Sequence, residues 1–464
     1  MEQVLVYGIG VLAVAAVLYM LLKKYDIKIT LLAVGLLLMY VAVLMGKSIP
    51  GETGYAIIDP IMAIVEQFKA TFSQAGLVIL LLGGYSAYMS AIGANDVTVY
   101  ALTKPLKRVK STYVLIPIVF LLGNLLSLVI PSASNLAIIL LATLYPVLKK
   151  ANMSTLTAAG IIATTATIMP SPLGADNVAV AQQLNMSVTE YVIQYHAIIS
   201  IPTLIIIAFI HMFWQKYCDK RDQLKKHEAD HTEIELEEIK PIEGSGLYKF
   251  VYGLLPLLPI VLLIIVFISN TVFHSKLTMG VEVVTLISFL VAILVELISK
   301  RRGKEVLQNT ENFFKGMGNA MGIVALLVAA SIFVAGLTSI GIMQQLEKTM
   351  TSLSGAGYIL PIIMVLFTAI IVLISGSGTA LFYAMIPLMV PLAAAAGISA
   401  VMLSIPMGMA GNLLRAVSPV AAVIVIIAGT TKENPINIVK RTSVPMIGGT
   451  VIMLILSFYF YIKS

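Results

Sequence analysis

Arg415 lies in the run GNLLRAVSPV, inside a long apolar stretch and apart from the loops that carry the other basic residues. A guanidinium deep in a bilayer costs at least ~2.5 kcal/mol on insertion scales, so it is kept where something answers its charge. Its planar donor fork matches a carboxylate. Three readings are open. The carboxylate belongs to a bound substrate, or to Asp176 in an internal ion pair, or the side chain snorkels to the membrane edge. Asp176, in IMPSPLGADNV, also has three: a titrating group for proton coupling, an oxygen ligand for a sodium ion, or the counter-ion of Arg415. Asn177 beside it supplies a further oxygen and nitrogen. Asp96, in IGANDV, lies near a basic loop and reads first as a helix cap.

Two small polar clusters interrupt other apolar stretches, PSASN (Pro131 to Asn135) and SGSGT (Ser375 to Thr379). If each is the tip of a re-entrant hairpin, the half-helix after it directs free N–H groups and a positive dipole end at the membrane midplane. Ser134, Asn135, Ser377 and Thr379 would then meet an anion, and small residues let it approach the backbone. Two tips and one arginine suit a molecule with two carboxylates. The plain alternative is a turn between two complete helices. Leu136 to Leu148, which contains Pro146, is short for ~30 Å of hydrocarbon and favours re-entry. Asn412 and Ser418 flank Arg415 where Pro419 breaks the helical ladder, as Pro170, Pro172 and Gly174 do before Asp176. Irregular backbone at that depth must line a cavity or be buried in protein.

Enzymatic constellations are poor. SGSG around Ser377 lacks a general base in reach, no HExxH or P-loop is present, and of the five histidines none sits clearly beside the broken helices. The single cysteine, Cys218, permits no intramolecular disulfide or cysteine metal cluster. His227 and His231, four apart in a solvated charge run, lack further ligands. No cofactor is expected beyond a coupling ion, H+ or Na+.

The elements that must position these residues follow from composition. Of 464 residues 59% are hydrophobic and 11% charged, against roughly 25% charged in soluble domains, which excludes an ordinary soluble enzyme. Uninterrupted apolar runs exclude a β-barrel, whose strands alternate. The fold class is therefore an all-α polytopic membrane protein. Ten segments read as crossings: Gln3 to Leu22, Ile29 to Gly46, Gly76 to Ile92, Thr155 to Asn185, Tyr191 to Gln215, Phe250 to Ser269, Thr278 to Ile298, Gly318 to Met343, Ser399 to Thr431 and Ser443 to Ile462. The first has no basic region before it and reads as a retained helix.

The net charge of +7 reports topology rather than nucleic-acid binding. With the N-terminus outside, most Lys and Arg fall in inner loops, as cytoplasmic loops require. Only Lys47, Lys69, Lys276, Lys348 and Lys463 fall outside. Both termini are expected outside, and the basic loops would also meet anionic lipid. A charged linker, 216–246, divides the chain into halves, 1–215 and 247–464. Laid on itself with a shift of about 245 residues, Pro146 meets Pro391, Ser154 meets Ser399, Ser171-Pro172 meets Ser418-Pro419, and Ser134-Asn135 meets Gly378-Thr379. Each half supplies five crossings, an odd number, so the second is expected upside down. The reading is two inverted repeats, with hairpins near 112–148 and 356–396 and broken helices at 155–185 and 399–431. That pattern marks a secondary transporter, and no ring of charged residues in the spans supports a channel.

The runs SAYMSAIGANDV, FWQKYCDKRD, GLTSIGIM, SGSGTALFYA, NLLRAVSPV and IVKRTSVPM stand in order along nearly the whole chain. In them the sequence resembles the anaerobic C4-dicarboxylate carriers of the DcuC type. The resemblance implies exchange or cation-coupled movement of succinate, fumarate, malate or aspartate across a bacterial inner membrane. It also implies likeness to the wider ion-transporter superfamily, whose members often move as elevators in homodimers. Carried over, the substrate site comprises Ser134, Asn135, Ser377, Thr379, Asn412, Arg415 and Ser418. The chain departs from the pattern at the first tip and first break, where Gly174-Ala175-Asp176 stands in place of a Ser-Gly-Asp run. An amino-acid or other organic-anion carrier of the superfamily is the alternative.

Overall fold

The computed structural model describes residues 2–461 apart from 24, 51–52, 110, 226–244, 276, 278 and 353–354. His227, His231 and most of the charged linker lie outside the described residues, as do Lys463 and Lys276. The described chain is helical throughout, and eleven of its helices are long and apolar enough to cross a membrane.

The first half runs α1 (Glu2–Leu22), α2 (Ile27–Leu44), α3 (Asp59–Ala91) and a short α4 (Ala94–Thr103). A hairpin follows, with α5 (Thr112–Leu126) on one arm and α6 (Ala133–Thr143) and α7 (Tyr145–Lys150) on the other. Next come a helix in two pieces, α8 (Thr155–Ala163) and α9 (Ala175–Gln183), and the long α10 (Val188–Asp222). The second half repeats the order with α11 (Gly246–Val272), α12 (Val281–Lys300), α13 (Gly303–Ser339) and a short α14 (Ile342–Ser352). Its hairpin is α15 (Ala356–Ser375) and α16 (Thr379–Ala396), its divided helix α17 (Val401–Leu414) and α18 (Ala422–Thr431), and its last helix α19 (Pro435–Tyr461).

Several segments are longer than the apolar pattern predicts. The expected crossing at Gly76 begins at Asp59, that at Gly318 begins at Gly303, and that at Ser443 begins at Pro435. Apolar runs end at the first charge, but the helical ladder does not. Lys69 pairs with Glu66 and Lys315 with Glu311 one turn away, so these charges sit comfortably on helix extensions. The arms of the second hairpin are each long enough to span, whereas α5 and α6 are short. The interrupted segment 155–185 is not one helix: residues 164–174 have no helical ladder, and Pro170 and Pro172 explain why it does not resume before Gly174.

Small residues set the framework. α13 packs along α2 and α3. A Cβ on Gly35 of α2 would lie 2.6 Å from the Phe333 amide nitrogen, so only glycine permits that approach. The rest gathers around α10 and α19, which pack on each other, with α8 and α17 against α19 and α5 against α10. Large apolar side chains such as Leu12, Leu290 and Ile298 point outward, as lipid requires.

Candidate functional site

The two interruptions meet. A cavity of ≈ 90 Å³ is lined by Asp176 and Asn177 from the first, Asn412 and Arg415 from the second, Pro131 from the first hairpin tip, and His196 of α10. Asp176 sits in the first turn of α9, the end of a helix that favours negative charge. One of its carboxylate oxygens accepts from the Asn177 amide at 2.9 Å, and the other from Asn412 Nδ2 at 3.3 Å. The Asn177 side chain donates to the Ser171 carbonyl at 2.9 Å, which folds the loop back onto α9. Arg415, half-buried, donates to the Ala166 carbonyl and makes no ion pair with Asp176 among the described residues. The cavity therefore holds one cation and one anion, each fixed by neutral groups rather than by the other.

The other sequence-predicted residues lie at its margins. Ser134 and Asn135 occupy the first turn of α6, where Ser132 caps the helix by accepting from the Asn135 amide at 3.4 Å. Neither lines the cavity; only Pro131 of that tip does. Ser377 and Thr379 are exposed at the second tip. Ser418 is buried, and its hydroxyl donates to the Leu373 carbonyl of α15 at 3.0 Å, joining the second interruption to the second hairpin. The tip itself presses on α17: Gly376 has φ +75°, a conformation glycine adopts freely, and Gly378 lies against the backbone of Gly411.

Two histidines that the sequence pattern sets aside are beside the breaks after all. His196 lines the cavity, and His211 contacts Thr164, the residue at which α8 ends. Arg441, which reads as a loop charge, is 2% exposed and binds Asp219 at 2.7 Å and Asp222 at 2.8 Å. The signal was periodic: His211, Gln215, Asp219 and Asp222 fall at i, i+4, i+8 and i+11 of α10, one polar stripe on an apolar helix.

A second, larger cavity of ≈ 900 Å³ opens between the framework and the hairpin-bearing part, lined by Lys47, Gln67, Gln183, Ser331, Gln345 and Pro387. α9 connects the two, with Asp176 at one end and Gln183 at the other.

Eleven span-length helices with a polar cavity where two interrupted helices meet define a multi-pass membrane transporter. The model of the DcuC family, described as C4-dicarboxylate anaerobic carrier, matches residues 6–461. The anaerobic C4-dicarboxylate transporter DcuC of Escherichia coli strain K12 is 34% identical over 454 residues, covering 96% of this chain and 95% of the relative. The probable transporter of that name from Vibrio cholerae is 35% identical over 453 residues, covering 96% of each. This chain belongs to the DcuC family. Its fold is also that of two solved transporters. YdaH of Alcanivorax borkumensis aligns with a TM-score of 0.67 at 14% identity, over 94% of this chain and 99% of that one. MtrF of Neisseria gonorrhoeae, described as illuminating a class of antimetabolite efflux pumps, aligns at 0.61 and 16% identity, over 94% and 95%.

Proposed function

We propose that the protein is a secondary active transporter of C4-dicarboxylates in the bacterial cell membrane, working by exchange or by cation-coupled symport. One observation carries the reading. Arg415 lines a polar cavity and, among the described residues, donates to one backbone carbonyl, leaving the rest of its fork available for a carboxylate. Asn412 beside it is a second donor. Asp176, with Asn177, is the coupling group, binding H+ or Na+ while the substrate is held.

Pro131 of the first hairpin tip lines the cavity, so withdrawal of that tip would open it for loading. The tips act as gates: Ser134 and Asn135 stand behind Pro131, and Ser377 and Thr379 flank the contact of Gly378 with Gly411. Ser418 acts through the join it makes with α15. The repeated element order supports a pair of inverted repeats, with each hairpin serving one side. Both termini then lie outside, and the carrier works as a homodimer.

The test is uptake of labelled succinate into proteoliposomes preloaded with fumarate, with aspartate as competitor, at two pH values and with or without sodium. Saturable, trans-stimulated uptake is expected. Exchange of an amino acid without succinate would overturn the substrate and keep the carrier. Loss of coupling in Asp176→Asn, with exchange retained, would identify the coupling group.

A further inference from the structure

The cavity is shaped from behind by groups that no substrate reaches. Ala166 and Thr167 form part of its wall, two and three residues on from Thr164 where α8 ends, and the Ala166 carbonyl accepts from Arg415. Asn124 of α5 grips this wall from one side. Its Nδ2 donates to the Thr164 carbonyl at 3.1 Å, and its Oδ1 accepts from the Thr167 amide at 2.9 Å and hydroxyl at 2.7 Å. His211 of α10, with no exposed surface, grips it from the other, its Nε2 3.1 Å from the Thr164 hydroxyl.

The proton on His211 is fixed by the groups around it. Gln215 donates through Nε2 to the Arg441 carbonyl at 2.8 Å and accepts at Oε1 from the Arg441 guanidinium at 3.2 Å, so its amide has one orientation. That Nε2 lies 3.2 Å from His211 Nδ1, which must therefore accept. The Thr164 hydroxyl gives its own proton to the Ile161 carbonyl at 2.9 Å and so accepts from the ring. Arg441 is in turn held by Asp219, which also accepts from Ser154 at 2.8 Å and Thr157 at 2.9 Å at the start of α8. α8 is thus held at both ends by one stripe of α10.

We propose that His211, in its neutral Nε2–H tautomer, is a positioning residue for the substrate site: it holds the end of α8 so that the Ala166 carbonyl aims Arg415 into the cavity. This rests on the cavity being the substrate site proposed above. A displacement of the order of 1 Å in such a support costs up to about a hundredfold in function. A glutamine places an acceptor and a donor on one amide much as the ring does, whereas alanine supplies neither.

The experiment uses the full chain in proteoliposomes, comparing wild type, His211→Ala and His211→Gln. For His211→Ala, KM for succinate should rise about tenfold or more while the maximal rate changes less, and His211→Gln should return KM to within about threefold of wild type. An unchanged KM in the alanine variant, or a glutamine variant no better than alanine, overturns the proposal. Because alanine at a buried site can prevent folding, nitrogen-15 NMR of the wild-type protein, assigned by comparison with His211→Gln, gives a second reading. A protonated Nε2 with a bare Nδ1 is expected, and the other tautomer or an imidazolium at neutral pH sinks the idea. Wild-type protein that moves no succinate would instead refute the transport reading, and the ring's tautomer would still decide this one.

Discussion

Gly378 and Gly411 face each other where the second hairpin tip meets α17, and their two alanine variants should behave oppositely. Gly378 has φ −87° and ψ −16°, an ordinary conformation, so replacing it tests space and not backbone strain. A Cβ there would lie 2.7 Å from Gly411 Cα and 3.0 Å from its carbonyl oxygen, both backbone atoms that cannot swing aside. Reaching ordinary contact needs a retreat of the tip by about 0.7 Å, and overpacking of this kind costs about 1–3 kcal/mol. A Cβ on Gly411 meets Gly378 Cα at 3.6 Å and Thr368 Cγ2 at 3.7 Å, which is normal packing. In proteoliposomes Gly378→Ala should lower succinate uptake efficiency by about 5- to 140-fold, the same energy expressed as a ratio. Gly411→Ala should stay within about twofold of wild type. Equal loss in both variants, or greater loss in Gly411→Ala, would refute the claim that this tip must seat against α17.

Arg415→Lys keeps the charge and loses the planar fork, so uptake should fall to background while membrane insertion and melting are retained; normal transport would remove Arg415 from the substrate. Arg441→Leu strands Asp219 in the interior, where breaking a buried pair costs about 3–5 kcal/mol; melting in detergent should drop sharply, and replacing Asp219 by Leu as well should recover much of it. Ser418→Ala loses one hydrogen bond to Leu373, about 1 kcal/mol of stability, and should leave KM near wild type; a large rise would put its hydroxyl on the substrate. Asp26 caps α2, and its hydrogen bonds to the Lys28 side chain and the Ile29 amide hold its carboxyl below the usual range. That contribution is complete above the unfolded value of about 3.9 and fades as pH falls below it, so melting curves of wild type and Asp26→Asn should converge in acid.

The interruptions were legible because they are chemical. Pro170, Pro172, Gly174 and Pro419 cannot continue a ladder, and small polar residues at mid-span have no other use in hydrocarbon. What lies across the gap was not legible. Asp176 and Asn412 meet from opposite halves, and nothing in either run names its partner. Sequence places none of the five histidines clearly beside the broken helices, because the packing of α10 on α8 is not written in either run, yet the polar stripe that His211 begins is visible at helical spacing. Charges misled the boundaries as well. Arg441 marks a loop to any hydropathy reading, and the structure neutralises it inside a helix.

The order of helices recurs in the two halves, but the charges do not. The offset that lays Ser171-Pro172 on Ser418-Pro419 lays Arg415 on Ile168 and Asp176 on Val423. Each half therefore contributes one member of a cation and anion that line a single cavity. Arg415 reaches Ala166, Asn412 reaches Asp176, and Gln215 reaches the Arg441 carbonyl, all between halves. A motion that parted the halves at the site would leave these polar groups unpaired in a low-dielectric interior, at about 1–3 kcal/mol for each. A motion that carries both interrupted helices together along the framework breaks none of them. Between the parts, α9 and α16 meet α3 and α13, and the larger cavity already opens between Gln183 of α9, Pro387 of α16 and Ser331 of α13. The asymmetry of charge within a symmetric order of helices thus favours a site that travels whole.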